Sequence, residues 1–244
     1  MTLIPHHRDA MGSAISDYFK TGQAKDIRVL SSMFDEDKIP VPMLFRDFEE
    51  MNHIEQTALY ESRGSVLDVG AGAGCHSIVL QNRGLNVTAI DISSLSVETM
   101  KLRGIKQAYQ EDFLNFTPQQ RFDTILMLMN GTGIMGKLKK LPTLFNCLDN
   151  LLAPGGQLLI DSSDLRYIYE DEEGNFDPSE FNHYYGEVDY RMVYGRIRSE
   201  RFDWLYVDFN RLKECAEQMG YTAELICEGE HYDYLARITK NVNG

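Results

Sequence analysis

The stretch that most constrains this chain is Val66-Leu67-Asp68-Val69-Gly70-Ala71-Gly72-Ala73-Gly74. Its aliphatic start reads as a short buried strand, and a helical pattern follows Gly74 as far as Gln81. Three alternating glycines keep Cβ atoms out of the turn between them. Backbone N–H groups at the start of the helix can then approach a ligand closely. Asp91 ends a second strand, Asn86-Val87-Thr88-Ala89-Ile90-Asp91, 21 residues after Gly70. A carboxylate at that place can accept both hydroxyls of a ribose. A glycine loop alone says little, and a lone Asp91 could be a solvated loop carboxylate or a helix cap. Coupled at this spacing, the two specify a nucleotide-type site.

The same rhythm continues. Residues 122–129 and 156–161 read as strands, 106–110 as a weaker one, and 97–103 and 137–152 as helices. Strands alternating with helices imply a parallel sheet with crossover helices, a doubly wound, Rossmann-like α/β fold. Residues 1–63 form a helical N-terminal cap in this reading. One helix covers residues 9–20, an extended connector 39–42, and an apolar stripe from Phe45 through Phe48, Met51, Ile54, Ala58 and Leu59 a second helix. The cap and residues 64–244 together make one domain. After Asp161 the pattern turns antiparallel and tyrosine-rich. Residues 162–182 are acidic and loop-like, 185–194 and 196–207 pair as strands that continue the sheet, 208–219 is a helix, and 221–228 with 232–239 a closing hairpin.

Composition narrows the partners. The chain has 244 residues, of which 43% are hydrophobic, enough for a substantial core. With 37 acids against 24 bases the net charge is −13, and no basic stripe interrupts it. Such a field repels phosphate backbones, so no nucleic-acid partner is expected. The longest apolar run, residues 125–129, is far too short for a membrane span, and the start lacks the apolar region of a signal peptide. A cytoplasmic protein is the expectation. Cysteines 75, 147, 215 and 227 are too scattered for a metal clamp, and so are the six histidines. No metal is expected.

The ligand is narrowed by what the loop lacks. A dinucleotide fingerprint needs Gly or Ala where this chain has Cys75 or Ser77. Asp68, beside the glycines, suits a ligand with a cationic end better than a pyrophosphate. A second glycine run, Gly131-Thr132-Gly133-Ile134-Met135-Gly136-Lys137-Leu138, has the spacing of a phosphate loop, but Leu138 stands where a hydroxyl must bind magnesium. That run reads as a loop beside the site.

Asp68 through Gly74 resembles motif I of the class I S-adenosylmethionine-dependent methyltransferases, and Thr88-Ala89-Ile90-Asp91-Ile92-Ser93 resembles their second motif. Gln110-Glu111-Asp112-Phe113 falls where that family reads adenine, and Leu152-Ala153-Pro154-Gly155-Gly156-Gln157-Leu158-Leu159-Ile160 is similar to its turn into the fifth strand. The resemblance implies S-adenosyl-L-methionine as cofactor and SN2 methyl transfer to a small-molecule acceptor. It assigns Asp68, Gly70 and Gly72, with Ala71 between them, to the methionine part. Asp91 goes to the ribose, Ile92 and the Phe113 backbone to the adenine ring, Asp112 to the adenine amino group, and Met129 and Asn130 to the flanks of the reactive methyl. The chain lacks the prolines of the adenine-methylating Asn/Asp-Pro-Pro motif after Asn130. Whether Asn130 touches the acceptor or uses only its backbone stays open.

Seven of the 13 tyrosines lie between Tyr167 and Tyr206, in a stretch where residues 161–206 carry twelve acids against five arginines. Hairpin packing is one reading and an aromatic cover over an amine acceptor the other. Tyr18 and Phe19 either pack in the core or close the cofactor cleft. His183, Tyr184, His231 and Tyr232 are candidate bases, and no spacing selects among them. A non-catalytic S-adenosylmethionine-binding or regulatory protein of the same fold is the alternative function.

Overall fold

A computed structural model describes residues 3–177 and 181–241; residues 178–180, within the acidic stretch, and 242–244 lie outside the described residues. The main sheet is built from β3 (Ser65–Val69), β4 (Asn86–Asp91), β5 (Ala108–Gln110), β6 (Phe122–Met127), β7 (Leu152–Ser163), β11 (Tyr221–Glu228) and β12 (Asp233–Lys240). Its order is β11-β12-β7-β6-β3-β4-β5. The five strands from β7 to β5 run parallel, and β12 is antiparallel to both of its neighbours. The helices α3 (Cys75–Asn82), α4 (Ser94–Leu102) and α5 (Leu141–Leu151) make the crossovers, and α6 (Phe209–Gln218) leads into β11. The chain winds from β3 outward to β5, then returns to place β6 on the other side of β3. That reversal opens a crevice at the carboxyl ends of β3 and β6, where α/β sheets bind ligands.

Strand alternation sends successive residues to opposite faces. Leu67, Ile125, Met127, Leu158 and Ile160 pack with α5 and α6, while Val66, Leu126, Leu159 and Leu235 pack with α2 (His53–Glu61) and α3. Both faces are dry, so β7 can carry Leu158-Leu159-Ile160, all fully buried, without alternation of polarity.

The N-terminal region holds helices α1 (Ala10–Thr21) and α2, but also two strands, β1 (Ile27–Leu30) and β2 (Asp37–Ile39). They join β8 (Glu187–Tyr194), β9 (Ile197–Arg198) and β10 (Phe202–Leu205) in a second sheet of order β10-β8-β1-β2, with β9 beside β8. The tyrosine-rich segment is therefore antiparallel, as expected, but it pairs with the N-terminal region. Only the closing hairpin continues the main sheet. The alternation in β1, with Ile27 and Val29 buried and Arg28 exposed, is too short to outweigh its charged surroundings in a sequence window. The apolar stripe from Phe45 is likewise split. Asp47 and Asn52 each cap a new start in a capping box, leaving 3₁₀ turns at Val41–Phe45 and Phe48–Glu50 before α2.

Candidate cofactor and acceptor site

Gly70, Gly72 and Gly74 all take left-handed φ values, 69°, 56° and 80°. Their uses differ. A Cβ on Gly70 or Gly72 would meet nothing nearer than Ile134 Cδ1 at 3.9 Å or Ile15 Cδ1 at 4.0 Å. A Cβ on Gly74 would run into Ile105 and Met100. The first two leave room above the loop, and the third lets α3 close against α4. The amides of the loop itself face inward. Gly70 and Ala71 both donate to the Ile90 carbonyl, at 2.9 and 3.1 Å, and Gly72 donates to Asp91 Oδ2 at 2.8 Å. Gly70 and Gly72 supply space, and the amides of Gly70, Ala71 and Gly72 hold the loop against β4.

Asp91 closes β4, and its Oδ1 accepts from the Ser93 amide at 2.8 Å. Two of its roughly four acceptor positions are used. Burial pushes its carboxyl up to about 6 against those two amide bonds, helped by the charges of Asp9 and Asp68. Ile92 lies beyond it, its carbonyl taking hydrogen bonds from Ile4 N at 3.1 Å and Gln110 Nε2 at 3.1 Å. Asp112 caps a single turn, Phe113–Asn115, accepting from Leu114 N at 3.2 Å and Asn115 Nδ2 at 2.8 Å; the Phe113 ring is buried in the core. The loops after β4 and β5 thus bring Asp91, Ile92 and Asp112 to one edge of the crevice.

Asp68 is buried at the end of β3, where Ser77 Oγ donates to it at 2.6 Å. Burial raises its carboxyl, opposed by the charge of His76 and by Ser77. Behind it runs a buried chain of charges that no spacing in the sequence announces. His76 Nε2 lies 2.6 Å from Glu55 Oε1, and Arg46 bonds the same carboxylate. Burial alone would lower the His76 imidazole, but Cys75, Glu55 and Asp68 bring it up to about 10. Against its own burial, Glu55 is held down at about 2 by His76 and Arg46.

Met129 and Asn130 follow β6 with φ of 63° and 62°, two left-handed non-glycine residues in succession. Such strain persists only where the surroundings fix it, and it clusters at functional sites. Asn130 Oδ1 accepts from Ser162 Oγ at 2.9 Å and its Nδ2 donates to the Leu205 carbonyl at 3.2 Å. Its amide therefore ties the main sheet to β10. Met129 is 42% exposed and borders an open cavity of about 420 Å³ with Met43, Arg46, Glu50, Asn52 and Glu55.

The glycine run from 131 to 136 is packing surface. A Cβ on Gly133 would overlap the Trp204 indole, and Lys137 Nζ lies 3.5 Å from Glu187 and 3.3 Å from Asp203. Lys137 ties the loop after β6 to β8 and β10, which removes the phosphate-loop reading. Tyr18 packs against Phe45 with ring centroids 4.9 Å apart and the planes tilted by 50°, while Phe19 is exposed. Of the candidate bases, Tyr184 is locked to Asp208 Oδ2 at 2.6 Å, Tyr232 stacks on Tyr167 at 4.7 Å, and His183 and His231 are exposed. The titratable group at the carboxyl end of β7, missed in the sequence, is Asp161. Its Oδ1 accepts from Gly131 N at 3.0 Å, and burial pushes it up to about 6. The signal available was a single acid directly after the buried run Leu158-Leu159-Ile160 of a central strand.

Opposite the loop, α1 lies against α4. Asp9 caps α1 through Gly12 N at 2.8 Å and accepts from Ser93 Oγ at 2.5 Å, beside Asp91. Among the described residues no group of three potential ligands gathers as a metal site, and no helix is long and apolar enough to cross a membrane.

Sheet order, open glycine loop and strand-end acid define a doubly wound protein built to hold a nucleoside-type cofactor. Residues 45–225 match the family described as a methyltransferase domain, and the chain belongs to the class I S-adenosylmethionine-dependent methyltransferase family. A methyltransferase of that kind from Bacteroides fragilis, solved with S-adenosyl-L-homocysteine, is 51% identical with a TM-score of 0.93, over 99% of this chain and 98% of that one. A protein-L-isoaspartate O-methyltransferase of Aromatoleum aromaticum is 30% identical over 121 residues, 46% of this chain and 51% of the relative. A cypemycin N-terminal methyltransferase of a Streptomyces species is 28% identical over 103 residues, 41% of this chain and 42% of the relative. The chain thus spans about half the length, or less, of these curated relatives.

Proposed function

We propose that this protein transfers the methyl group of S-adenosylmethionine to a small-molecule acceptor, and that the acceptor is an amine. The observation that carries the cofactor reading is the pairing of the Gly70–Gly72 space with Asp91, which retains acceptor capacity for ribose hydroxyls. In this reading Asp68 faces the methionyl ammonium, and Gly70, Ala71 and Gly72 lie along the methionine part. Ile92 and Phe113 border the adenine, Asp112 takes its amino group, and Met129 with Asn130 flanks the methyl. The sulfonium supplies an activated methyl group, so the chain's own task is to align the nucleophile and exclude water. The amine preference draws support from the twelve acids of residues 161–206 and from the tyrosines around them, which favour a cation.

Calorimetry with S-adenosylmethionine tests this reading. Charge-assisted bonds to hydroxyls are worth about 1.5–3 kcal/mol each, so Asp91→Ala should weaken binding at least ~10-fold. Equal affinity in wild type and variant would refute the ribose assignment.

A further inference from the structure

We propose that Asp161 is the catalytic base of this methyltransferase: its carboxylate receives the ammonium group of a primary-amine acceptor beside Met129 and removes one N–H proton. The proposal rests on the methyl-transfer reading above and names the group that prepares the nucleophile.

Three features of Asp161 carry it. The first is position. Asp161 extends β7 one residue beyond Ile160, which pairs with Met127 at the end of β6, so it stands next to the turn that bears Met129 and Asn130. Alternation puts it on the sheet face of Leu159 and Asp68, the face covered by α2 and α3. It is partly exposed there, between Ile160 and Ser162, which are both buried. The second is how it is held. Gly131 N donates to Oδ1 at 3.0 Å, in a turn whose left-handed Met129 and Asn130 are themselves fixed through Ser162 and Leu205. The Asn130 backbone amide bonds the same carboxylate, so two successive amides of the turn anchor it, and of its roughly four acceptor positions it keeps some for a substrate N–H.

The third is its surroundings. The titratable groups that bear on it are Glu55 of α2 and His76 of α3 on one side, and Tyr206 and Tyr234 on the other. Tyr206 shares a hydroxyl contact of 3.1 Å with Tyr190. Tyr234 is buried in the core, whereas Tyr206 is half-buried, so an ammonium at the Asp161 carboxylate near Tyr206 meets a negative charge and an aromatic ring, the combination that binds cations. Burial already brings Asp161 toward neutrality, close to the range in which a base works at neutral pH.

The step balances. The acceptor R–NH₃⁺ gives one proton to an Asp161 oxygen, and the freed nitrogen lone pair forms the new N–C bond to the methyl. The C–S bond breaks with its electron pair going to sulfur, which becomes a neutral thioether. The product leaves as R–NH₂⁺–CH₃, and Asp161 returns its proton to solvent.

The test uses wild type, Asp161→Asn and Asp161→Glu as full chains, with labelled S-adenosylmethionine and primary amines from methylamine to benzylamine as probes, plus matched phenols and thiols. Asparagine can still accept from Gly131, and thermal melts confirm folding. With the amine that wild type uses best, kcat for Asp161→Asn should fall by ~100-fold or more, the scale of general-base catalysis. S-adenosylmethionine affinity should stay within about threefold, and Asp161→Glu should recover part of the loss. Wild-type rate should rise through pH ~6 to a plateau, whereas Asp161→Asn should gain about tenfold per pH unit up to the amine's own pKa, because only free amine reacts. An Asp161→Asn enzyme with the same plateau and turnover within threefold overturns the proposal. Transfer to phenols or thiols but to no amine, or cofactor binding without transfer to any of these probes, overturns it while leaving cofactor binding intact. Failure of wild type to bind S-adenosylmethionine sinks the underlying reading instead.

Discussion

Two glycines two positions apart in one loop illustrate how finely residue roles divide. Gly72→Val introduces a branched side chain at φ 56° and fills space that the site keeps open. Gly74→Ala is as strained at φ 80° but drives its methyl into Ile105 and Met100. In calorimetry, Gly72→Val should lose S-adenosylmethionine affinity by ~100-fold or more. In thermal melts, Gly74→Ala should be the less stable of the two by about 1–3 kcal/mol, the usual cost of overpacking. If both variants lost affinity and stability in parallel, the division between space and packing would be wrong. The sequence made the loop and Asp91 legible because their spacing reflects the strand–helix–strand geometry itself. It could not reveal that the loop amides bind Ile90 and Asp91, since a hydrogen bond's direction leaves no mark in residue type. Asp161 went unread for a related reason: an acid ending a strand looks like the start of the acidic loop that follows it.

At the scale of elements, α2 and α3 are joined by charge. Glu55 holds both Arg46 and His76 in a buried place, and removing the shared partner leaves two cations unbalanced. Breaking a buried pair costs about 3–5 kcal/mol, so Glu55→Gln should destabilise by that order. The pH dependence carries the same signature. His76 rises from 6.5 to about 10 on folding, so its contribution is complete below pH 6.5 and lost as pH climbs through about 10. Glu55 falls from 4.5 to about 2, so its contribution is complete above pH 4.5 and lost as pH drops through about 2. Asp91 and Asp161 act oppositely, costing stability as pH rises from 3.8 to about 6. Subtracting the Glu55→Gln melting curve from wild type cancels their share. The difference should be largest between pH 4.5 and 6.5 and shrink on both sides; a difference independent of pH would mean that packing, not charge, is what Glu55 provides. Helical periodicity marked α2 correctly but ran its stripe back to Phe45, because Asp47 and Asn52 redirect the backbone through side-chain caps that a hydrophobic pattern does not register.

Across the whole molecule, the proposed reading puts the cofactor on the main sheet and the acceptor where the second sheet meets it, so the two sheets must be held in a fixed relation. The parallel sheet was legible at β3, β4, β6 and β7, whose centres are buried on both faces, and fainter at the edge strand β5, where Tyr109 is exposed. The second sheet was half legible. Its tyrosine-rich strands were visible, but β1 and β2 lie some 160 residues away from them, and no local pattern encodes that pairing. What joins the sheets is polar and small. Ser162 Oγ donates to Asn130 at 2.9 Å, sits 2.7 Å from the Thr132 hydroxyl, and accepts from Val207 N at 2.9 Å, while Thr132 and Asn130 both reach the Leu205 carbonyl. Ser162→Ala strips one atom from three partners and strands a buried Val207 N–H, at a cost of about 1–3 kcal/mol. Because Asp68, Gly72 and Asp91 are untouched, S-adenosylmethionine affinity should stay within about twofold. The turn through Met129 and Asn130 loses its support, so turnover of an acceptor should fall by ~10-fold or more, as misalignment of a reacting pair implies. Parallel measurement of cofactor affinity and turnover decides the matter. Equal losses in both would mean that the tie serves the fold alone, and unchanged turnover would mean that the second sheet does not help to place the acceptor.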